Sequence, residues 1–185
     1  MIDGVLRKKL EAGDPLLGVF VSIEAPTTVE LLALAGVDYV MIDGEHNPIG
    51  PAEAAEMIRA GEARHVPVTA RVGENSQQVI SKYLDAGCVG IMTPMVESAA
   101  DARRVVEAVK YPPAGRRGLA GVRANDFATS PEYTKHANES TVVIVQIETQ
   151  QGIEKADEIV ATPGVDVVVV EASVCFAPRI DMHMC

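Results

Sequence analysis

The chain has 185 residues, 48% apolar and 23% charged, which is the balance of a single soluble globular domain and excludes a disordered chain, a collagen-like repeat and a disulfide miniprotein. Acidic residues outnumber basic ones 26 to 16, giving a net charge of −10, with no Trp and only 4% aromatics. That balance speaks against nucleic acid and anionic membrane surfaces as partners, since both need a basic footprint, and against stacking platforms for single strands.

The N-terminal stretch MIDGVLRKKLEAGD is helical in pattern and lacks the apolar centre of a signal peptide. LGVFVSIE (17–24) predicts a first strand and PTTVELLALAG (26–36) a helix, with Pro at its start and Gly past its end. VDYVMID (37–43) predicts a strand, residues 51–65 a helix, VPVTARV (66–72) a strand, and 75–87 a helix with Asn75 as N-cap. VGIMTPMV (89–96) predicts a fourth strand, and 98–111 a helix capped by Ser98 and stopped before Pro112. Residues 112–140 are rich in Gly, Pro, Asn and Ser and read as a long loop, of the kind that serves as a lid or an interface. TVVIVQIE (141–148) predicts a strand, 151–162 a helix, and VDVVVVEA (165–172) a sixth strand.

Strands alternating with helices imply βα units and a parallel sheet. The strands are apolar at nearly every position, as in a sheet covered on both faces or a barrel wall. A dinucleotide-binding fold needs a Gly-rich turn after the first strand, and SIEAPTT has none; no Walker-type loop occurs either. The expected fold is α/β, of the (β/α)8 TIM-barrel type. It is incomplete, because about six units fit where eight need roughly 235 residues or more. Residues 1–170 form the partial barrel and 171–185 a divergent tail with neither helical period nor a closing strand. Cys88, Cys175 and Cys185 make no CxxC pair and read as incidental thiols of a reducing compartment. No run approaches about 18 apolar residues, so no membrane helix is expected and the cytoplasm is the default location.

In parallel barrels, polar residues at the C-terminal ends of strands are the catalytic candidates. Strand two ends in Asp43-Gly44-Glu45-His46 and strand three at Arg71, while strand five carries Gln146 and Glu148, two apart and therefore on one face. A Gln and a Glu on an otherwise apolar strand are costly unless they bind something. Glu148 suits a hard divalent cation, Arg71 offers a planar fork to a carboxylate or enolate oxygen, and His46 suits a general base. Together these groups would stabilise the enolate of a small 2-oxo acid. A Schiff-base route needs a lysine inside the barrel. Lys8, Lys9, Lys82, Lys110, Lys135 and Lys155 all fall on predicted helices or in the long loop, which favours the metal route.

The runs VDYVMIDGEHNPIG, VTARVG, YLDAGCVGIMTPMVESAADAR, YPPAGRRGLAG and VQIETQQGI, in this order, resemble the HpcH/HpaI aldolase family from about residue 15 to 170. The resemblance implies a (β/α)8 barrel, a homo-hexamer, a divalent cation (Mg²⁺, Mn²⁺ or Co²⁺) and reversible cleavage of 4-hydroxy-2-oxo acids to pyruvate and an aldehyde. It implies His46 as base, Asp85 as the acid that raises its basicity, and Arg71 as enolate stabiliser. Gln146 would bind pyruvate and Glu148 the metal. Asp43 and Glu45 surround the histidine.

The sequence departs from the family after strand six. The family continues with a GPxDLS-like run whose Asp is the second metal carboxylate. Here Glu171-Ala172-Ser173-Val174 occupies that stretch, with Val174 in place of the Asp and Ser173 where a backbone group would touch substrate. The expectation is a truncated or frame-shifted product with weakened metal binding, exposed strand edges, low stability and little aldolase activity. The alternatives are a non-catalytic remnant and a related citrate-lyase-like carbon–carbon lyase. The tail run Asp181-Met182-His183-Met184-Cys185 is a candidate soft-metal site. Arg103, Arg104, Arg116, Arg117 and Arg123 read as a solvated basic loop or a subunit contact.

Overall fold

A computed structural model of the chain describes residues 4–171. Six strands form one parallel sheet in sequential order: β1 (Gly18–Val21), β2 (Tyr39–Asp43), β3 (Val68–Arg71), β4 (Gly90–Thr93), β5 (Val142–Ile147) and β6 (Val167–Val170). Helices α1 (Val5–Ala12), α2 (Pro26–Ala35), α3 (Pro51–Ala63), α4 (Gln77–Ala86), α5 (Ala99–Val109), α6 (Tyr133–Ser140), α7 (Gln150–Glu154) and α8 (Ala156–Val160) lie before and between them. This is a curled partial barrel, the incomplete (β/α)8 architecture expected.

The strand sequences explain the two-sided core. Alternate residues leave opposite faces of a strand. On β2, Val40 and Ile42 join the outer core beneath the helices, while Tyr39 and Met41 face inward. On β5, Val143, Val145 and Ile147 point outward, and Val142 and Ile144 inward. Helix α1 lays Leu6 and Leu10 against the inner face, with Met92, Val167 and Val169. Toward the C-terminal strand ends, Asp43, Arg71 and Gln146 follow in the same inward alternation.

Three details differ from the sequence expectation. Residues 112–140 are not one structureless loop: they contain a 3-10 segment (Arg123–Ala128) and α6. The helix expected over 151–162 is two short helices, broken at Lys155, whose backbone leaves the helical region at φ −112°, ψ 15°. Helix α4 is preceded by Ser76 rather than Asn75, because the Asn75 amide donates to the carbonyl of Asp101 (3.2 Å). The Ser98 cap holds: its Oγ accepts from the Asp101 N–H at 3.2 Å.

The sheet does not close among the described residues. β1 and β6 each pair with one neighbour only. Phe20 on β1, Leu31 and Leu34 on α2, and Val170 on β6 are exposed. Among the described residues no helix is long and apolar enough to cross a membrane. Ser173, Val174, Cys175 and the 181–185 run lie outside the described residues.

Candidate active site

The C-terminal ends of β2, β3, β5 and β6 surround a cavity of about 440 Å³, lined by Phe20, Asp43, Arg71, Gln146 and Glu171 among others. Strand register sets two of these side by side, since Asp43 lies opposite Arg71 in the β2–β3 pairing. The Arg71 Nε donates to Asp43 Oδ1 at 2.9 Å and lies 3.2 Å from Glu45 Oε2. Its guanidinium sits over the Phe20 ring, 4.9 Å from the centroid, so one face of a nearly buried cation rests on an aromatic quadrupole.

Asp43 is the organising acceptor of this corner. Besides Arg71 it accepts from the backbone N–H of Glu45 (3.2 Å) and His46 (3.4 Å), and its Oδ2 from the Asn47 amide (2.7 Å). These bonds fold the Asp43-Gly44-Glu45-His46 run into a tight turn around one carboxylate. Gly44 belongs there for a steric reason: a Cβ would run into the Tyr83 hydroxyl and the Arg71 carbonyl. That hydroxyl is fixed by donating to the Ile49 carbonyl at 2.6 Å.

Burial alone would raise the Asp43 carboxyl. The Arg71 hydrogen bond and charge, with the two backbone N–H groups, outweigh it and hold Asp43 below the usual carboxylate range. Glu45 goes the other way. Burial pushes it up, and the charges of Glu148 and Asp43 add to that, against the pull of Arg71 and His46. Arg71 is raised despite burial, through its bond to Asp43 and the charges of Asp43, Glu45 and Glu171. His46 projects from the turn with its side chain 66% exposed, its Nε2 3.9 Å from Glu45 Oε2.

Across the cavity, Gln146 is 1% exposed and donates through Nε2 to Glu148 Oε2 (3.1 Å) and to Glu171 Oε2. Glu148 Oε1 accepts from the Met95 N–H at 2.8 Å, an N–H presented by a residue with φ of 55°. Glu171 also lies 4.0 Å from Arg71 Nη1.

The family model described as HpcH/HpaI aldolase/citrate lyase matches residues 16–173. The chain belongs to this family. A hydroxypyruvate/pyruvate aldolase of Roseovarius nubinhibens is 40% identical over 162 residues, covering 86% of this chain and 63% of its own length. A 5-keto-4-deoxy-D-glucarate aldolase of Salmonella paratyphi A is 36% identical over 161 residues, with the same coverage of each chain. The crystal structure of an HpcH/HpaI aldolase/citrate lyase family protein from Burkholderia cenocepacia superposes with a TM-score of 0.88 at 35% identity, covering 93% of this chain and 70% of that one. The chain thus spans about 63% of the length of these two aldolases.

In this HpcH/HpaI family member, the sequence-predicted residues separate into two groups. Asp43, Arg71 and Gln146 line the cavity, Glu45 joins them through Arg71 and Glu148 through Gln146, and His46 approaches the group only through Glu45. Asp85 does not join them. It sits on α4, where its Oδ1 accepts from Arg117 Nη2 at 2.7 Å, and no hydrogen bond or ion pair links it to His46 among the described residues. Arg117 in turn is buried, 4.7 Å from the centroid of the Tyr111 ring, and Arg123 is paired with Glu62. These two arginines are therefore internal clamps and not a solvated basic loop.

Sequence reasoning gave no role to Phe20 or Glu171. Phe20 carries a weak signal, an aromatic on an inward position of β1; Glu171 carried a stronger one, a carboxylate ending an all-valine strand. Among the described residues no three His, Cys, Asp or Glu side chains converge as a ready-made metal cluster. The donors on β5 and beyond β6 nevertheless fit a hard cation. Two carboxylates meet there, and the buried Gln146 Oε1 has no hydrogen-bond partner.

Proposed function

We propose that this half-barrel carries the active site of a divalent-metal-dependent aldolase that cleaves 4-hydroxy-2-oxo acids, reversibly, to pyruvate and an aldehyde. The observation that carries the reading is the buried Arg71, fixed by Asp43, Glu45 and Phe20, on the same cavity as Gln146 and Glu171, with Glu148 hydrogen-bonded to Gln146. A guanidinium held this way needs no reorganisation to meet negative charge, which is how a preorganised site lowers a barrier. Glu148 would hold a Mg²⁺, Mn²⁺ or Co²⁺ ion, whose bound charge favours the enolate form of the 2-oxo acid.

The chain's own residues account for the remaining tasks. His46 takes the proton of the 4-hydroxyl. The electrons of that O–H bond become the aldehyde carbonyl as the C3–C4 bond breaks, and the released pair passes into the enolate. Arg71 stabilises the enolate oxygen, and the Gln146 amide binds the pyruvate portion. A proton returned to C3 gives pyruvate. Asp85, engaged by Arg117, acts within this chain through the placement of α4. The same proposal, following the family resemblance, places the enzyme in the cytoplasm as a homo-hexamer.

A second reading is favoured by the open seam, where Phe20, the support of Arg71, is 50% exposed. In that reading the chain retains the binding corner but does not turn over. Two assays separate them: deuterium exchange at the pyruvate methyl in D2O with added Mn²⁺, and pyruvate release coupled to lactate dehydrogenase. The aldolase reading expects both, with loss on EDTA treatment and in Arg71→Ala. Exchange without cleavage supports the second reading. Exchange and cleavage that both persist in Arg71→Ala overturn the assignment of this site.

A further inference from the structure

We infer that Glu171 serves as the second protein carboxylate for the cation, taking the part of the Asp that this sequence replaces by Val174. The inference rests on the proposed metal-dependent reading of Glu148 and concerns a residue to which the family pattern gives no such role.

The geometry comes from strand pairing. Ile147 lies opposite Val170, and the Glu171 N–H donates to the Ile147 carbonyl at 3.0 Å, so the β5–β6 pairing runs one step past β6. Continuing the register sets Glu148 beside Glu171. Both carboxylates then reach the same amide, Gln146 Nε2. Like charges directly across neighbouring strands destabilise a sheet. One neutral amide hydrogen-bonds them but adds no positive charge. Arg71 is the nearest cation, and its Nη1 is 4.0 Å from Glu171 while its Nε is committed to Asp43 and Glu45.

The local charge count is therefore unbalanced. Asp43, Glu45 and Glu171 lie within 4.0 Å of one guanidinium, and Glu148 joins them through the Gln146 amide. A divalent cation held by Glu148 and Glu171 would reduce the imbalance. A second feature points the same way. Gln146 is buried to 1% exposure, and its Oε1 has no hydrogen-bond partner, a cost that a ligand in the cavity relieves. Glu171 is 41% exposed at its side chain, so it can meet a hydrated ion without further desolvation.

The test is Mn²⁺ binding to the full chain, read by electron paramagnetic resonance of the free ion, with thermal midpoints measured alongside. Wild type is expected to bind one Mn²⁺ saturably. Glu171→Gln and Glu148→Gln are each expected to weaken that binding by about tenfold or more, a loss in the range seen when partners of a metal site are removed. Without metal, Glu171→Gln is expected to melt above wild type, because the like-charge contact is gone. With saturating Mn²⁺ the order reverses. Circular dichroism confirms that the isosteric variant is folded, and Glu171→Asp, which keeps the charge, is expected to bind more tightly than Glu171→Gln. If Glu171→Gln binds as wild type does while Glu148→Gln does not, the role of Glu171 is overturned and the metal-dependent reading stands. If wild type binds no Mn²⁺, both fall.

Discussion

At the scale of single residues, Asp43 carries more of the site than its neighbours do. It accepts from the Arg71 guanidinium, two backbone N–H groups and the Asn47 amide. Asp43→Asn presents an amide to that crowd of donors and leaves a buried arginine short of a counter-charge. A loss of about 2–3 kcal/mol is expected in urea unfolding, the range for a broken buried pair tempered by the remaining Glu45. Lys110 offers a second residue-scale test, away from the site. Its Nζ is buried, donating to the carbonyls of Asn138 (2.8 Å) and Thr141 (2.7 Å), and burial, then the charge of Arg7, lowers it to about 8 against an ordinary 10.5. Below pH 8 both folded and unfolded chains hold the proton, and the burial cost is fully present. Between about 8 and 10.5 the unfolded chain binds more protons, so stability rises with pH. Wild type should therefore gain on Lys110→Met by on the order of 2 kcal/mol between pH 7 and 10. A pH-independent difference between the two in urea titrations would contradict this.

At the scale of elements, the PPAGRRG run and α4 form one mechanical unit. Arg117 is almost fully enclosed, with Asp85 as its ion partner and Tyr111 beneath it. Arg123 reaches the α4 C-terminus at the Ala86 carbonyl and pairs with Glu62 on α3. The loop is thus pinned to two helices through a buried and a half-buried guanidinium. Asp85→Asn is expected to cost about 2–3 kcal/mol, because the arginine it leaves behind remains desolvated. The Arg117→Met, Asp85→Asn double variant should recover much of that loss. Equal destabilisation in both, measured by thermal and urea unfolding, would show that packing and not the charge pair holds the loop.

At the scale of the whole molecule, the sheet is open on one side among the described residues. Among the described residues β1 and β6 each pair on one side only, and α2 exposes Leu31 and Leu34. Unpaired edges and large apolar patches are templates for association. Leu31→Glu, Leu34→Glu is expected to reduce concentration-dependent self-association in size-exclusion chromatography. It should change folding stability by no more than about 0.5 kcal/mol per site, as for other exposed positions. If association is unchanged, the strand edges and not α2 are the contact.

The sequence by itself determined the parallel βα order, because all-apolar strands between helix-period segments leave few other arrangements. It also determined which polar side chains stand at strand ends, because they interrupt apolar runs there. Arg71, Gln146 and Glu148 were legible for that reason. It did not disclose that Asp85 belongs to Arg117, nor that residues 112–140 fold onto α3 and α4. Those pairings join residues 32 and 61 positions apart, and no local periodicity encodes them. Tertiary structure alone decided that Phe20 supports Arg71 and that Glu171 meets Glu148. The first is a contact between strands that are not neighbours in the sheet, and the second follows from the β5–β6 register, which the chain's own order leaves unspecified.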